Sequence, residues 1–327
     1  MFNNIEYNFS KMSSDMYDGI YILQPIGRSG NHLLTIFNAI YLGKKYNFKW
    51  IKLDHLFRDY DKYINIEYNK SYNECPSDLD EGKLLHISGF MVFHLTHYLG
   101  NDNIIDYTFY RSIFREYLPI VVSSSISLTN PRPNYDKNTT LFTHLKCTDN
   151  LLQNLHYKYN ILPVDLYRDV MENSRFNTLV IVTDNPQSQY LTLLKERMDK
   201  IGKKMVVEHN SLWEDMMIIN HAKYLLMDCS TFTWICHLTS PVEQKVLVWE
   251  QFFSVFLAKY RQYVDITLFN KDVISNNYTV FELNNFTRCG EWTAMKHDID
   301  LLFSWDASNN LKWDSNEKYL DYKIKSS

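Results

Sequence analysis

Between residues 140 and 249 the chain repeats one pattern: a short apolar run, a polar turn, then a stretch with helical spacing. Thr140–Leu145, Leu179–Thr183 (LVIVT), Met205–Glu208, Tyr224–Met227 (YLLM) and Lys245–Trp249 (KVLVW) are the apolar runs. They are too short and too uniformly apolar for amphipathic helices, and they read as strands buried on both faces. Helices are expected within 163–173, over Gln187–Ile201, and within 214–223 and 231–239. Buried strands that alternate with helices require a parallel sheet with crossover helices on both faces, an α/β architecture.

At 327 residues the chain is roughly twice a usual domain, so two domains are expected. Gly19–Pro25 reads as a strand, followed by Gly27-Arg28-Ser29-Gly30-Asn31-His32. Leu33, Ile36, Phe37, Ile40 and Tyr41 then recur at helical steps up to Lys44-Lys45. The theme returns weakly over 47–57, and residues 58–82, rich in Asn, Asp and Tyr, read as loop. Apolar runs at Leu84–Phe93 and Leu118–Val122 flank a helix-like stretch around Tyr107–Tyr117. Pro131 and Pro133 interrupt both helix and sheet, which sets a first domain at 1–133 and a second at 134–262. Residues 263–327 have weaker periodicity and form a C-terminal extension to which the sequence assigns no role.

Composition narrows the function classes. Only 9 Gly and 8 Pro argue against a turn-rich all-β fold. Lys and Arg total 34 against 38 Asp and Glu, a net charge of −4 without a basic stripe, so no nucleic-acid partner is expected. Cys75, Cys147, Cys229, Cys236 and Cys289 are scattered without CxxC spacing, which predicts neither a structural zinc nor a disulfide framework. The polar first thirty residues hold no signal-like apolar core, and no run approaches the ~20 apolar residues of a membrane span. A soluble, cytoplasmic protein is expected.

In a doubly wound sheet, ligands bind where loops and helix N-termini meet the carboxyl ends of the strands. Four loops carry suitable polar groups. The first holds Arg28 and Asn31 between two glycines, or is simply a strand–helix turn with a capping Asn. The second, His144-Leu145-Lys146-Cys147-Thr148-Asp149, sends His144 and Lys146 to one side of an extended strand, toward a ligand or toward solvent at a strand edge. In the third, Thr183-Asp184-Asn185, Asp184 is either a ligand group or the N-cap of the next helix. The fourth, Asp228-Cys229-Ser230-Thr231-Phe232-Thr233-Trp234, puts hydroxyls where a strand hands over to a helix, which suits a phosphate or an ordinary cap. Asp215 opens the preceding helix and has the same two readings.

Four segments then occur in one order: GRSGNH before a helix, a strand ending His-x-Lys-x-x-Asp, a strand ending Thr-Asp-Asn, and Glu214-Asp215 followed by Ala222-Lys-Tyr-Leu-Leu-Met-Asp-Cys-Ser-Thr-Phe-Thr-Trp234. Together they resemble the α-1,2-fucosyltransferase family (glycosyltransferase family 11) over residues 19–255, and more distantly the α-1,6- and protein O-fucosyltransferases. Ser230–Trp234 is the most specific piece. The resemblance implies a GT-B fold of two Rossmann-like domains, an acceptor-side N-terminal one and a nucleotide-sugar-binding C-terminal one. It implies inverting transfer of a sugar, most directly L-fucose from GDP-fucose in the α-1,2 manner, to a glycan hydroxyl without a metal or other cofactor. Lys146 takes the place of an arginine that grips the β-phosphate, and His144 belongs to the same motif. Asp215 would read the guanine edge, and Ser230, Thr231 and Phe232 would line the pyrophosphate. Arg28, a catalytic candidate that would help stabilise the leaving diphosphate, and Asn31, a nucleotide-sugar-binding candidate, would reach across from the acceptor half, and Asp184 joins the nucleotide-sugar-binding residues. Asp149 lies in the right motif for catalysis, although spacing nominates no general base.

Four positions depart from the family pattern: Lys146 for Arg, His32 for Gln, and Cys147-Thr148 for Arg-Gly. They leave room for a different donor, such as GDP-rhamnose, GDP-mannose or UDP-xylose, and for a binding protein that keeps the site without turnover.

Overall fold

The computed structural model describes residues 16–25, 29–89, 107–147, 160–252, 278–288 and 291–313. The chain divides into two compact units, the first reaching Ser127 and the second opening at Leu128. The division precedes the Pro131–Pro133 segment by a few residues.

The first unit is built on β1 (Gly19–Leu23), which pairs in parallel with both β2 (Trp50–Leu53) and β5 (Leu84–Ser88). Gly19 lies opposite Trp50, and a Cβ there would run into the Trp50 carbonyl, so this pairing requires glycine. Between β1 and β2 runs α1 (Ser29–Tyr46), buried from Leu33 to Gly43 because its apolar residues cover more than one face. It packs on α2 (Tyr107–Val121) through Phe37 and Phe114, whose ring centres are 4.4 Å apart, and through a buried hydrogen bond of 2.7 Å from Tyr110 Oη to Asn38.

One expectation for this unit is corrected. Residues 58–82 are not all loop: β3 (Tyr63–Asn65) and β4 (Lys70–Tyr72) extend the sheet antiparallel beyond β2. Both are three residues long, too short to show a period. The Leu118–Val122 run mostly continues α2, with Pro119 inside its last turn.

The second unit follows the strand–helix alternation closely. Its strands are β6 (Thr140–Leu145), β7 (Thr178–Thr183), β8 (Lys204–Glu208), β9 (Tyr224–Met227), β10 (Lys245–Trp249), β11 (Tyr278–Leu283) and β12 (Leu311–Trp313). They lie in the order β12-β11-β10-β9-β6-β7-β8, and only β12 is antiparallel. This is the Rossmann-like arrangement: β6 sits centrally, the chain moves outward through β7 and β8, then returns to β9 on the other side. β6 and β9 are buried at every position, as their unbroken apolar runs require. Helices α3 (Val164–Glu172) and α4 (Gln189–Lys200) pack together, as do α5 (Leu212–Asn220) and α6 (Thr231–Leu238). In a sheet of this strand order, right-handed crossovers, the rule for parallel strands, place two such pairs on opposite faces.

The segment beyond residue 262 supplies β11 and β12 to this sheet, together with α7 (Lys296–Ser304) and α8 (Ala307–Asn310), which pack on α3. Its strand enters the core through Tyr278, whose hydroxyl is 2.7 Å from His237 Nε2. The other ring nitrogen of His237 meets Gln244 at 2.9 Å. All three side chains are buried, so the contact is one of core polar satisfaction. Tyr278→Phe should therefore lower the stability of the second unit by about 1–3 kcal/mol, the cost of stripping a partner from a buried polar group. Urea unfolding checks this, and an unchanged midpoint would mean that β11 contributes only apolar packing.

Candidate functional site

The strand order reverses between β6 and β9, and a crevice at such a reversal is where open α/β sheets bind ligands. His144, the penultimate residue of β6, is only 8% exposed. Its Nδ1 lies 3.0 Å from Oδ2 of Asp228, the first residue beyond β9. Since a carboxylate only accepts, Nδ1 carries the hydrogen, and Nε2 is the nitrogen presented away from Asp228. The His144 ring packs against Phe232, with ring centres 4.8 Å apart.

The second carboxylate oxygen of Asp228 accepts from Ser230 Oγ at 2.9 Å and from the Thr233 hydroxyl. Ser230 is the N-cap of α6: its Oγ accepts the Thr233 amide at 3.2 Å. One buried carboxylate thus ties the end of β6 to the N-terminus of α6. That terminus carries the positive end of the helix dipole, and Thr231 and Phe232 are the first residues of the helix.

Asp215 stands in the first turn of α5, next to a Ser211–Glu214 capping box. Asn210 holds its Oδ1 twice, through the backbone N–H at 3.2 Å and Nδ2 at 3.1 Å. Burial raises the Asp215 pKa above the usual carboxylate range, while Asn210 and the charges of His144 and His209 pull the other way. The same Asn210 Nδ2 reaches Glu208 Oε2 at 3.1 Å, and Glu208 also accepts from Tyr135 and Arg132. Burial pushes the Glu208 carboxyl up, but these donors outweigh it and hold the group below its ordinary value. His209 is oriented by Nδ1–H donation to the Thr183 carbonyl at 2.9 Å.

Lys146 lies one residue past β6 and is half-buried. Asp184 is exposed at the end of β7 and does not cap the next helix, a role taken by Ser188, which accepts the Tyr190 amide. Cys147 is buried, and burial pushes its thiol up to about 11, with hydrogen bonds to Thr183 and Ser188 opposing.

His144, Asp215, Ser230, Thr231 and Phe232 therefore gather around the carboxyl ends of β6 and β9, with Lys146 and Asp184 on the adjoining strand ends. Asn31 is the third residue of α1 in the first unit rather than a cap. Nearby, Gln24 takes a left-handed φ of 57°, and Gly89 lets the Gln24 carbonyl approach where a Cβ would clash. Arg28 and Asp149 lie outside the described residues.

Sequence reasoning passed over Asp228, Asn210 and His209 as site residues. Asp228 was discernible as the acid that closes a buried strand at the sheet's reversal, whereas Asn210 and His209 carry no local signal. Among the described residues no cluster of three His, Cys, Asp or Glu side chains is arranged to hold a metal ion, and no helix is long and apolar enough to cross a membrane. No family model matches the chain, and no curated protein does either.

The raised pKa of Asp215 has a consequence for stability. The folded state disfavours the charged form, so Asp215 destabilises the fold above its folded pKa, and the penalty vanishes below the unfolded value. Asp215→Asn keeps an oxygen for Asn210 and should leave the melting temperature equal or higher at neutral pH, with any gain fading in acid. A lower melting temperature at neutral pH would show that the charge is stabilising.

Proposed function

We propose that the chain is an inverting, GT-B-type glycosyltransferase that moves a sugar, most directly L-fucose from GDP-fucose, onto a glycan hydroxyl. The second unit binds the nucleotide sugar and the first serves the acceptor. The observation that carries this reading is the Asp228 tie between His144 and the capped N-terminus of α6 at the β6/β9 reversal. An imidazole and a helix N-terminus held together there suit a diphosphate. The order of motifs in the sequence adds the family resemblance.

In the reaction the acceptor oxygen bonds to the anomeric carbon, the bond from that carbon to the β-phosphate oxygen breaks, and the hydroxyl proton passes to a base. Negative charge grows on the departing diphosphate. Lys146, His144 and the α6 terminus meet that charge with groups fixed beforehand, and this preorganised electrostatics is the chief catalytic contribution. Ser230 and Thr231 orient the diphosphate, while Phe232 walls the imidazole from solvent. Asp215 offers an acceptor of the kind that pairs with a guanine edge.

A panel of GDP, UDP, CMP and dTDP, free and sugar-linked, tests the donor. A ligand at ~100 times its Kd adds about 2.7 kcal/mol. The melting temperature should then rise by roughly 5–10 °C with GDP compounds. Stabilisation by UDP instead would replace the fucosyl donor while keeping the site. Product formation from GDP-fucose separates an enzyme from a binding protein.

Lys146→Ala should lower turnover by on the order of 10²–10³, with a smaller loss of nucleotide affinity, because the contact strengthens as the diphosphate leaves. Lys146→Arg should retain measurable turnover, since charge and reach are kept. Wild-type turnover in the alanine variant would remove Lys146 from the diphosphate site.

A further inference from the structure

We propose that Asp228 is a positioning residue for His144: it fixes the hydrogen on Nδ1 and aims Nε2 at a diphosphate beside α6, where Nε2 must donate to a phosphate oxygen and Asp228 balances the charge of the ring. The proposal rests on reading this crevice as the nucleotide site and deepens it by adding a residue that touches no ligand. Three features support it. His144 is more than nine-tenths buried, with a single ring nitrogen committed to a protein partner among the described residues. That partner is an acceptor only, and it is braced from its other oxygen by Ser230 and Thr233, so it cannot swing away from the ring. The brace also caps α6, so imidazole and helix terminus are fixed relative to each other by one group.

Among the described residues, the carboxylates that face the ring are Asp228 from the β9–α6 loop and Asp215 from α5. A phosphate oxygen only accepts, so Nε2 must carry a hydrogen beside it while Nδ1 keeps the one it gives to Asp228. Asp228→Asn is a sharp probe because it reverses this logic at constant shape. Asn Oδ1 still accepts from Ser230 and Thr233, which turns Nδ2–H toward His144. Nδ1 must then accept, the neutral ring carries its hydrogen on Nε2, and the charged form loses its partner.

The test is long-range proton–nitrogen NMR of the full chain labelled at histidine, titrated with inorganic pyrophosphate near neutral pH, with His144 assigned from His144→Gln. The wild type should show Nδ1 protonated throughout and both nitrogens protonated at saturation. Asp228→Asn should show the inverted tautomer and bind pyrophosphate roughly tenfold to a hundredfold more weakly, the range for one hydrogen bond to a charged group. His144→Gln should lose a similar factor, and the double variant should be no weaker than His144→Gln alone, because Asp228 acts through the imidazole. A bare Nδ1 in the wild type, a ring that ignores pyrophosphate, or losses that multiply in the double variant would each overturn the proposal. A chain that behaves as expected here but transfers no sugar would support the dyad and remove only the transferase reading.

Discussion

Everything that distinguishes the second unit follows from the central position of β6. The strand is buried on both faces and paired in parallel on both sides, and its carboxyl end lies where the strand order reverses. The connections that leave β6 and β9 run outward to opposite sides of the sheet, the point at which a doubly wound sheet opens a crevice. Polar side chains placed there meet one another rather than an apolar core. The residue that comes into register across the gap is Asp228, directly after β9.

A buried carboxylate is costly unless its oxygens are matched, and Asp228 is matched on both. An imidazole takes one oxygen and two hydroxyls take the other. The network is local in space but joins residues 144 and 228, so it fixes two loops at once. A neighbouring chain of polar contacts runs from Arg132 and Tyr135 through Glu208 and Asn210 to Asp215, which brings α5 to the same end of the sheet. Such networks are rigid when satisfied, and a site that must meet a charged leaving group without reorganising needs that rigidity.

The second unit was legible in the sequence because strands buried on both faces leave an unbroken apolar signature. LVIVT, YLLM and KVLVW could hardly be anything else. β3 and β4 were not legible, since three residues cannot display alternation and their partners are antiparallel neighbours rather than periodic repeats. Nor was the contribution of β11, a strand separated from its sheet neighbour β10 by a long connection and anchored by a buried His–Tyr contact that no local pattern announces. In the site, the residue types at each strand end were readable one by one. Their pairing was not: that His144 meets Asp228, or that Ser188 and not Asp184 caps α4, depends on register and backbone geometry.

Amide hydrogen exchange with and without GDP addresses the central claim, that the β6/β9 reversal is the nucleotide site, without presupposing any reaction. Bound nucleotide should slow exchange at the N-terminus of α6, over Ser230–Trp234, and at the end of β6, over His144–Cys147. Residues of the first unit should change far less. Protection confined to the first unit, with the α6 terminus unaffected by saturating GDP, would contradict the account.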